Sequence, residues 1–303
     1  MGWIETYVDP ENVRGYWEGW VAISDKTRSA KYNALVTNSE HIIPHLPWPA
    51  SMEKDSFLAP DFTSLDMVTY ASYKRFVGIN IPNYDDIREQ EGFKNVELNN
   101  CKSGFGNLKR LAYCSQETSD LIIERGDACY DAHLACHELL GHGSGKLTFR
   151  ESEETPYFTD PATGETYQSC YEKGETWTEK FGSISTAFEE CRADSCGLHL
   201  VTLPQVYELF GFAEEDVETL LFINLTNYVR KGICGLPLYN KETGKWGQAH
   251  TQGAFVFTQY VWQNQKNKLL SVDLTETSFT ISIDRQYLMD EGRQLISDFL
   301  LTL

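Results

Sequence analysis

The chain has 303 residues, of which 41% are hydrophobic and 13% are aromatic, so it can bury a sizeable core and is not a disordered acidic tail. Its 26 Lys and Arg against 44 Asp and Glu give a formal net charge of −18. Such a charge repels phosphate backbones and anionic lipid surfaces, which argues against nucleic acid and membranes as partners. No stretch approaches the roughly 18–20 apolar residues that a membrane span needs.

The first 110 residues predict mixed secondary structure. A period-two pattern of apolar residues predicts one strand at 17–23 and a second at 75–81. Between them, residues 25–43 have a helical composition, and Pro44 is expected to end that helix.

From residue 128 onward the patterns predict mainly helices. The first covers 128–142 and runs into the glycines at 143 and 145, and a loop-rich stretch follows from 150 to about 177. Further helices are predicted at 180–200, 214–231, 248–264 and from 285 to the end of the chain, with a strand at 278–283.

The eight cysteines contain no C-x-x-C pair and are scattered along the chain. This usage favours buried reduced thiols in a cytoplasmic protein over a disulfide-stabilised scaffold. The first residues, MGWIETYVDPEN, lack the basic and apolar regions of a signal peptide, which agrees with the same expectation.

The segment His137-Glu138-Leu139-Leu140-Gly141-His142 indicates metal chemistry. Two imidazoles and an adjacent carboxylate on a helix supply two neutral zinc ligands and a base for hydrolysis. The histidines are five residues apart, about 500° around a regular helix, which would splay them by about 140°. We therefore expect a local π-type widening near Gly141. Two histidines alone would more often be ordinary surface or core residues.

A third ligand is expected from the acidic segment EECRAD at 189–194. Glu190 and Asp194 are four apart on one helix face, so one can bind metal while the other accepts a hydrogen bond from an imidazole N–H. Glu189 points about 100° away from Glu190. Acids in so acidic a chain are mostly solvated, but the apolar residues around these favour partial burial.

The motifs resemble those of the dipeptidyl peptidase III family of zinc metallopeptidases, whose signatures are H-E-x-x-G-H and E-E-C-R-A-[ED]. The residues that carry the resemblance are HELLGHGSGKL at 137–147, GETW at 174–177 and EECRAD at 189–194. Further similar segments are IETYVDP at 4–10, LPWP at 46–49, LAPDFTSLD at 58–66, GINIPNYDDIREQEGFKNV at 78–96 and QAHTQGAF at 248–255. The resemblance therefore covers essentially the whole chain.

This resemblance implies an enzyme that removes a dipeptide from the free N-terminus of short peptides and holds one Zn²⁺ per chain. It also implies an α+β fold, with a mainly helical zinc-bearing catalytic lobe at 26–63 and 110–303 and a partial β-rich second lobe at 1–25 and 64–109. We expect the chain to be a monomer.

By position, the resemblance assigns roles to eleven residues. These are zinc ligands His137, His142 and Glu190; general base Glu138; Tyr7 and His250, which stabilise the oxyanion or substrate carbonyl; Glu5, Asn80 and Asn83, which bind the peptide ammonium; and Glu189 and Asp194 around the zinc ligands. From the residues alone, Tyr7 is equally a packed aromatic, the asparagines turn residues and His250 a core histidine.

Several departures from the family pattern leave two functions open. Ala254 stands where the family usually has an arginine that contacts substrate, a loss of about 2 kcal/mol in binding for a charged hydrogen bond. Asp194 is one methylene shorter than the common glutamate, so a hydrogen bond through water is expected. Family members are also commonly more than twice as long. The first is a zinc dipeptidyl peptidase, or the catalytic-lobe fragment of one. The second is a weak or inactive zinc-binding remnant that binds peptides or another protein.

Overall fold

The computed structural model has an α+β fold, as predicted, with long helices and several small sheets. It describes residues 2–3, 17–55, 57–71, 77–81, 92, 94–101, 108–150, 152, 154, 156–159, 163–167 and 170–303, without the side chains of residues 2–3, 17–18 and 79–81.

Strands and helices are numbered here in chain order. The strands are β1 (Gly2–Trp3), β2 (Trp17–Ser24), β3 (Asp61–Ala71), β4 (Gly78–Ile81), β5 (Lys94–Leu98), β6 (Phe149–Arg150), β7 (Tyr171–Glu172), β8 (Tyr239–Asn240), β9 (Lys245–Trp246), β10 (Leu270–Leu274) and β11 (Phe279–Ile283). The α-helices are α1 (Lys26–Thr37), α2 (Ser39–Ile42), α3 (Gln116–Ala135), α4 (Trp177–Phe181), α5 (Ser185–Leu200), α6 (Pro204–Leu209), α7 (Val217–Cys234), α8 (Ala249–Asn264), α9 (Arg285–Tyr287) and α10 (Arg293–Leu300).

The chain divides into two compact units. One, the sheet unit, comprises residues 1–38 and 58–104, and the other, the helical unit, comprises residues 39–57 and 105–303. The division places α1 with the sheet, whereas the sequence-based assignment placed residues 26–63 with the helical lobe; that assignment of lobes remains a prediction.

The sheet unit contains a five-stranded mixed sheet in the order β1-β2-β3-β5-β4. The pair β3 and β5 is parallel, with Asp61 opposite Lys94, and the other pairs are antiparallel. The predicted strand at 17–23 is confirmed by β2, and the one at 75–81 is confirmed over Gly78–Ile81.

A buried carboxylate joins α1 to this sheet. Glu97 on β5 is 2% exposed. Its oxygens accept hydrogen bonds from Tyr32 Oη at 2.9 Å, Ser64 Oγ at 2.8 Å and Arg28 Nε at 3.1 Å. Because Tyr32 and Arg28 lie on α1 while Ser64 lies on β3, the network connects three elements of the unit.

The helical unit is built on the packing of α3, α5, α7 and α8. Glycines allow α8 to approach its neighbours closely: a Cβ at Gly253 would lie 2.9 Å from Cys191 Cβ on α5, and one at Gly232 on α7 would lie 2.6 Å from the Ala254 carbonyl. This packing brings the first turn of α8 beside the middle of α5. Ala254 is fully buried in the contact between α7 and α8.

The helix predicted at 128–142 ends in the expected widening. Residues Cys136–Gly141 form a π-helix that continues α3, and His142 N–H donates to the His137 carbonyl at 3.2 Å, a bond across five residues. The predicted π-type widening is therefore confirmed.

Other helix predictions are wrong in detail. The predicted helix at 25–43 is interrupted at Asn38, where backbone bonds end α1, and the one at 180–200 is interrupted by a 3₁₀ turn at Gly182–Ile184. The predicted helix from 285 to the chain end is divided by a second π-helix at Leu288–Gly292 and ends at Leu300.

All eight cysteines are free thiols, and seven of them are buried. Among the helices described, none combines the length and the apolar composition required to cross a membrane.

Candidate metal centre

The π-helix brings the two histidines of the motif to the same side of the chain. The rings of His137 and His142 lie with their centroids 4.8 Å apart and their planes nearly perpendicular. Their side chains are 3% and 4% exposed, respectively. A regular α-helix would turn these rings apart, so the extra residue absorbed by the π-helix produces the pair.

Helix α5 places Glu190 opposite this pair. Glu190 Oε2 lies 3.2 Å from His137 Nε2 and 3.6 Å from His142 Nε2. The helices are held at this distance by a backbone contact, since a Cβ on Gly141 would lie only 2.8 Å from the Ala193 carbonyl of α5. The glycine in the motif therefore permits the close approach that brings Glu190 to the histidines.

Carboxylates also contact the other nitrogen of each ring. His142 Nδ1 donates to Glu189 Oε1 at 2.8 Å, and His137 Nδ1 lies 2.9 Å from Asp194 Oδ1. A carboxylate that accepts from Nδ1, as Glu189 does from His142, holds the proton there and leaves Nε2 free as a ligand. The prediction that a water would lie between Asp194 and His137 is wrong, because Asp194 Oδ1 already lies 2.9 Å from the ring nitrogen.

The charges of Glu189 and Asp194 are balanced by cations. Arg192 donates to both oxygens of Glu189, and Lys231 Nζ lies 2.9 Å from Asp194 Oδ2. Burial raises the pKa of both carboxyls, but the nearby positive charges outweigh it and hold each pKa well below its ordinary value. Both groups are therefore ionised and act as acceptors.

Glu190 differs from these two acids. Within the part of the chain that the structure describes, no lysine or arginine pairs with it, and its Oε2 is buried without a hydrogen-bond partner. Burial raises the pKa of the carboxyl, while the surrounding imidazoles lower it to about 2. A buried ionised oxygen with no donor, facing imidazole nitrogens, is the arrangement that a bound cation would complete.

The distances fit zinc. Ligand atoms about 2.0–2.1 Å from a tetrahedral zinc ion are separated from one another by roughly 3.3 Å. The two distances from Glu190 Oε2 to the imidazole Nε2 atoms, 3.2 Å and 3.6 Å, bracket that value. His137, His142 and Glu190 also form a group whose ligand atoms all lie within 4.8 Å of one another.

A second group with suitable spacing is His137, Asp194 and His250. Asp194 already receives Lys231 at 2.9 Å and a hydrogen bond from Tyr228 Oη at 3.3 Å. Because its charge is compensated, Asp194 is the poorer metal ligand, and the group with Glu190 is favoured.

Two further candidate residues lie beside this cluster. Glu138 Oε1 lies 4.0 Å from His137 Nε2, and its side chain is 24% exposed. His250, at the start of α8, is 35% exposed, and its Nδ1 lies 3.5 Å from Glu190 Oε2. Both side chains are partly open to solvent next to the buried histidines.

Comparisons with known proteins identify the family. The profile of Peptidase family M49 matches residues 1–303. The chain belongs to this family. It is 43% identical to dipeptidyl peptidase 3 of Mus musculus, 41% identical to that of Homo sapiens and 34% identical to that of Dictyostelium discoideum. Each match covers 99% of this chain but only 42–45% of the relative, so this M49 chain spans less than half the length of these relatives.

A solved structure supports the fold of this M49 chain. The structure of DPP III from Caldithrix abyssi superposes with a TM-score of 0.65, covering 99% of this chain and 52% of that one. At 19% identity the likeness concerns the fold.

The remaining predicted site residues lie outside the part of the chain whose side chains the structure describes. Glu5, Tyr7 and Asn83 lie outside the described residues, and Asn80 lies on β4 with its side chain outside them. Their roles stay predictions from the resemblance.

Sequence reasoning missed two cations beside the candidate metal centre. Arg192 lies three residues after Glu189 within EECRAD, a helical spacing that could have indicated their ion pair. Lys231 is 37 residues from Asp194 on another helix, and no local pattern links the two.

Proposed function

We propose that this chain is the zinc-bearing part of a dipeptidyl peptidase that releases dipeptides from the free N-terminus of short peptides. The observation that carries the proposal is the buried Glu190 Oε2, which lacks a hydrogen-bond partner and faces the two imidazoles of the motif. Membership of Peptidase family M49 and similarity to proteins named dipeptidyl peptidase 3 support it.

His137, His142 and Glu190 would hold one zinc ion per chain. When bound, zinc would polarise the peptide carbonyl and lower the pKa of a coordinated water to about 7. Glu189 and Asp194 orient the two imidazoles through their Nδ1 atoms, 2.8 Å and 2.9 Å away. The chain thus supplies a ligand set whose rings are fixed before the metal arrives.

Glu138 would act as the general base. Its partly exposed carboxylate accepts the proton of the attacking water and passes it to the leaving amine, a transfer that contributes typically 10²–10⁴-fold. His250 would donate to the substrate carbonyl oxygen as negative charge develops there. Its position on the open side of the cluster, 3.5 Å from Glu190, supports that role.

The peptide's charged end would be bound by residues known only from the resemblance. Glu5, Asn80 and Asn83 offer carboxylate and amide oxygens to an ammonium group, and Tyr7 offers a donor to the oxyanion. The net charge of −18 also favours a cationic peptide end over an anionic one.

The test compares the parent chain with Glu138→Gln, which keeps the size of the side chain but removes its basicity. Zinc content is measured after loading, and release of Arg-Arg from an N-terminally free chromogenic substrate is followed with an N-acetylated substrate as control. We expect the variant to keep one zinc and lose at least about 10²-fold in rate. Equal rates in both proteins, or cleavage of the acetylated substrate, would disprove the assignment.

The second candidate function is peptide or protein binding without catalysis. One observation favours it: Ala254, which stands where the family usually has arginine, is fully buried. A parent chain that binds zinc and the Arg-Arg substrate but releases no product would support this alternative.

A further inference from the structure

Arg192 joins the metal cluster to the backbone that carries His142. It lies on α5, and its side chain is 16% exposed. None of its donors points at the nitrogens or oxygens that would bind zinc. Instead they reach Glu189 and two backbone carbonyls on either side of His142.

The hydrogen bonds of Arg192 have two destinations. Toward Glu189, Nε donates to Oε2 at 3.0 Å and Nη2 donates to Oε1 at 2.8 Å. Toward the backbone, Nη2 donates to the Gly141 carbonyl at 3.0 Å and Nη1 donates to the Ser144 carbonyl at 3.0 Å. The planar guanidinium has donors in the fixed directions that such a set requires.

Arg192 donates to these carbonyls where the π-helix ends, and the Gly141 carbonyl also accepts from Ser144 Oγ at 3.2 Å. The last carbonyls of a helix lack partners within the helix. Gly141 is the final residue of the π-helix, a turn covers residues 142–143, and Ser144 comes directly after that turn. Without Arg192, two carbonyls beside His142 would lose a charged donor in a largely buried place.

We propose that Arg192 is a positioning residue of the metal centre, acting on His142 both through Glu189 and through the backbone on each side of it. The inference rests on the proposed zinc site. Glu189 Oε1 accepts from His142 Nδ1 at 2.8 Å, so the guanidinium fixes that acceptor. The guanidinium also fixes the backbone around His142, through its hydrogen bonds to the Gly141 and Ser144 carbonyls. One side chain therefore positions both the His142 ring and the Glu189 carboxylate that accepts from it.

The far side of the same turn is also held. The Gly145 N–H donates to Glu53 Oε1 at 2.8 Å, and Trp48 Nε1 donates to Glu53 Oε2 at 2.9 Å. The turn after His142 is thus fixed by Glu53 as well as by Arg192. Loss of Arg192 should accordingly loosen the orientation of His142 without releasing the whole turn.

The experiment measures metal binding rather than turnover. Arg192→Met removes all the donors, and Arg192→Lys keeps the charge but cannot reach both Glu189 oxygens and both carbonyls at once. Arg125→Met is the matched control, since Arg125 pairs with Asp216 in the same unit, away from the metal cluster. Zinc dissociation constants are obtained by competition with a chromogenic chelator, and the visible spectrum of the Co²⁺-loaded protein reports ligand geometry.

We expect Arg192→Met to weaken zinc binding by about 10–100-fold and to alter the Co²⁺ spectrum, with a smaller loss in Arg192→Lys. The Arg125→Met control should bind zinc like the parent. In a chain that already carries Glu189→Gln, Arg192→Met should weaken zinc binding less, because part of the action of Arg192 passes through Glu189.

The outcomes separate the inference from the function on which it rests. If the parent binds no zinc, both fail. If the parent binds zinc and Arg192→Met binds it equally well with an unchanged Co²⁺ spectrum, only the role of Arg192 is refuted. Loss of the fold in both Arg192 variants, measured by circular dichroism, would also count against the proposal, since Arg192 would then support the whole unit.

Discussion

Replacing Gly141 by alanine tests whether the close approach of the π-helix and α5 creates the metal site. The added Cβ would lie 2.8 Å from the Ala193 carbonyl oxygen and 3.0 Å from Ala193 Cα. Both are backbone atoms of a buried helix, so they cannot turn aside as a side chain would. The helix and the π-helix must separate instead.

The distances indicate how far the π-helix and α5 must separate. Moving the contact from 2.8 Å to an ordinary 3.4 Å requires a shift of about 0.6 Å, more than the roughly 0.5 Å within which a functional site must be held. Overpacking of this kind costs typically about 1–3 kcal/mol in the free energy of unfolding. We expect a fall in Tm of roughly 2–4 °C per kcal/mol and zinc binding at least about tenfold weaker.

Gly292→Ala is the matched control. Gly292 ends the second π-helix, and a Cβ there would meet Leu288 Cδ1 at 3.1 Å, a side-chain atom that can rotate away. Its Tm and zinc affinity should stay near those of the parent. Thermal unfolding without metal and chelator competition would measure both variants. A Gly141→Ala protein with the Tm and zinc affinity of the parent would refute the reasoning.

Two further predictions concern stability. Glu97→Gln should lower the stability of the sheet unit by about 1–3 kcal/mol, because Arg28 loses its buried charged acceptor. The zinc affinity should stay unchanged. Thermal unfolding followed by circular dichroism tests this, and an unchanged melting curve would contradict it. Free zinc at about 1,000 times its dissociation constant should stabilise the protein by roughly 4 kcal/mol, and a chelator should abolish the gain. A Tm that does not respond to zinc would argue against a metal site in the folded chain.

Much of the candidate metal centre could be predicted because its geometry is local. A spacing of five residues between His137 and His142 is incompatible with ligands on one face of a regular helix, so the π-helix followed from counting residues. The second motif was likewise sufficient to predict that Glu190 and Asp194 face the histidines. The fold class followed from the patterns together with the family resemblance.

Other features depend on contacts that no local pattern contains. Glu189, about 100° around α5 from Glu190, nevertheless meets His142, whose Nδ1 lies 2.8 Å from Glu189 Oε1. Lys231 compensates Asp194 only because α7 packs near α5. The interruptions of the predicted helices at Asn38 and within 285–300 also had no clear composition signal.

The predictable features depend on contacts between residues close in the sequence, and the others depend on contacts between distant residues. Residue spacing specifies which side chains can share one helix face, and in this chain that was enough to predict the distorted helix that carries His137 and His142. It does not specify how near two helices approach, which here is decided by Gly141 and Ala193 in backbone contact. It also does not specify which cation neutralises which buried acid, since that depends on residues far apart in the chain that burial brings together.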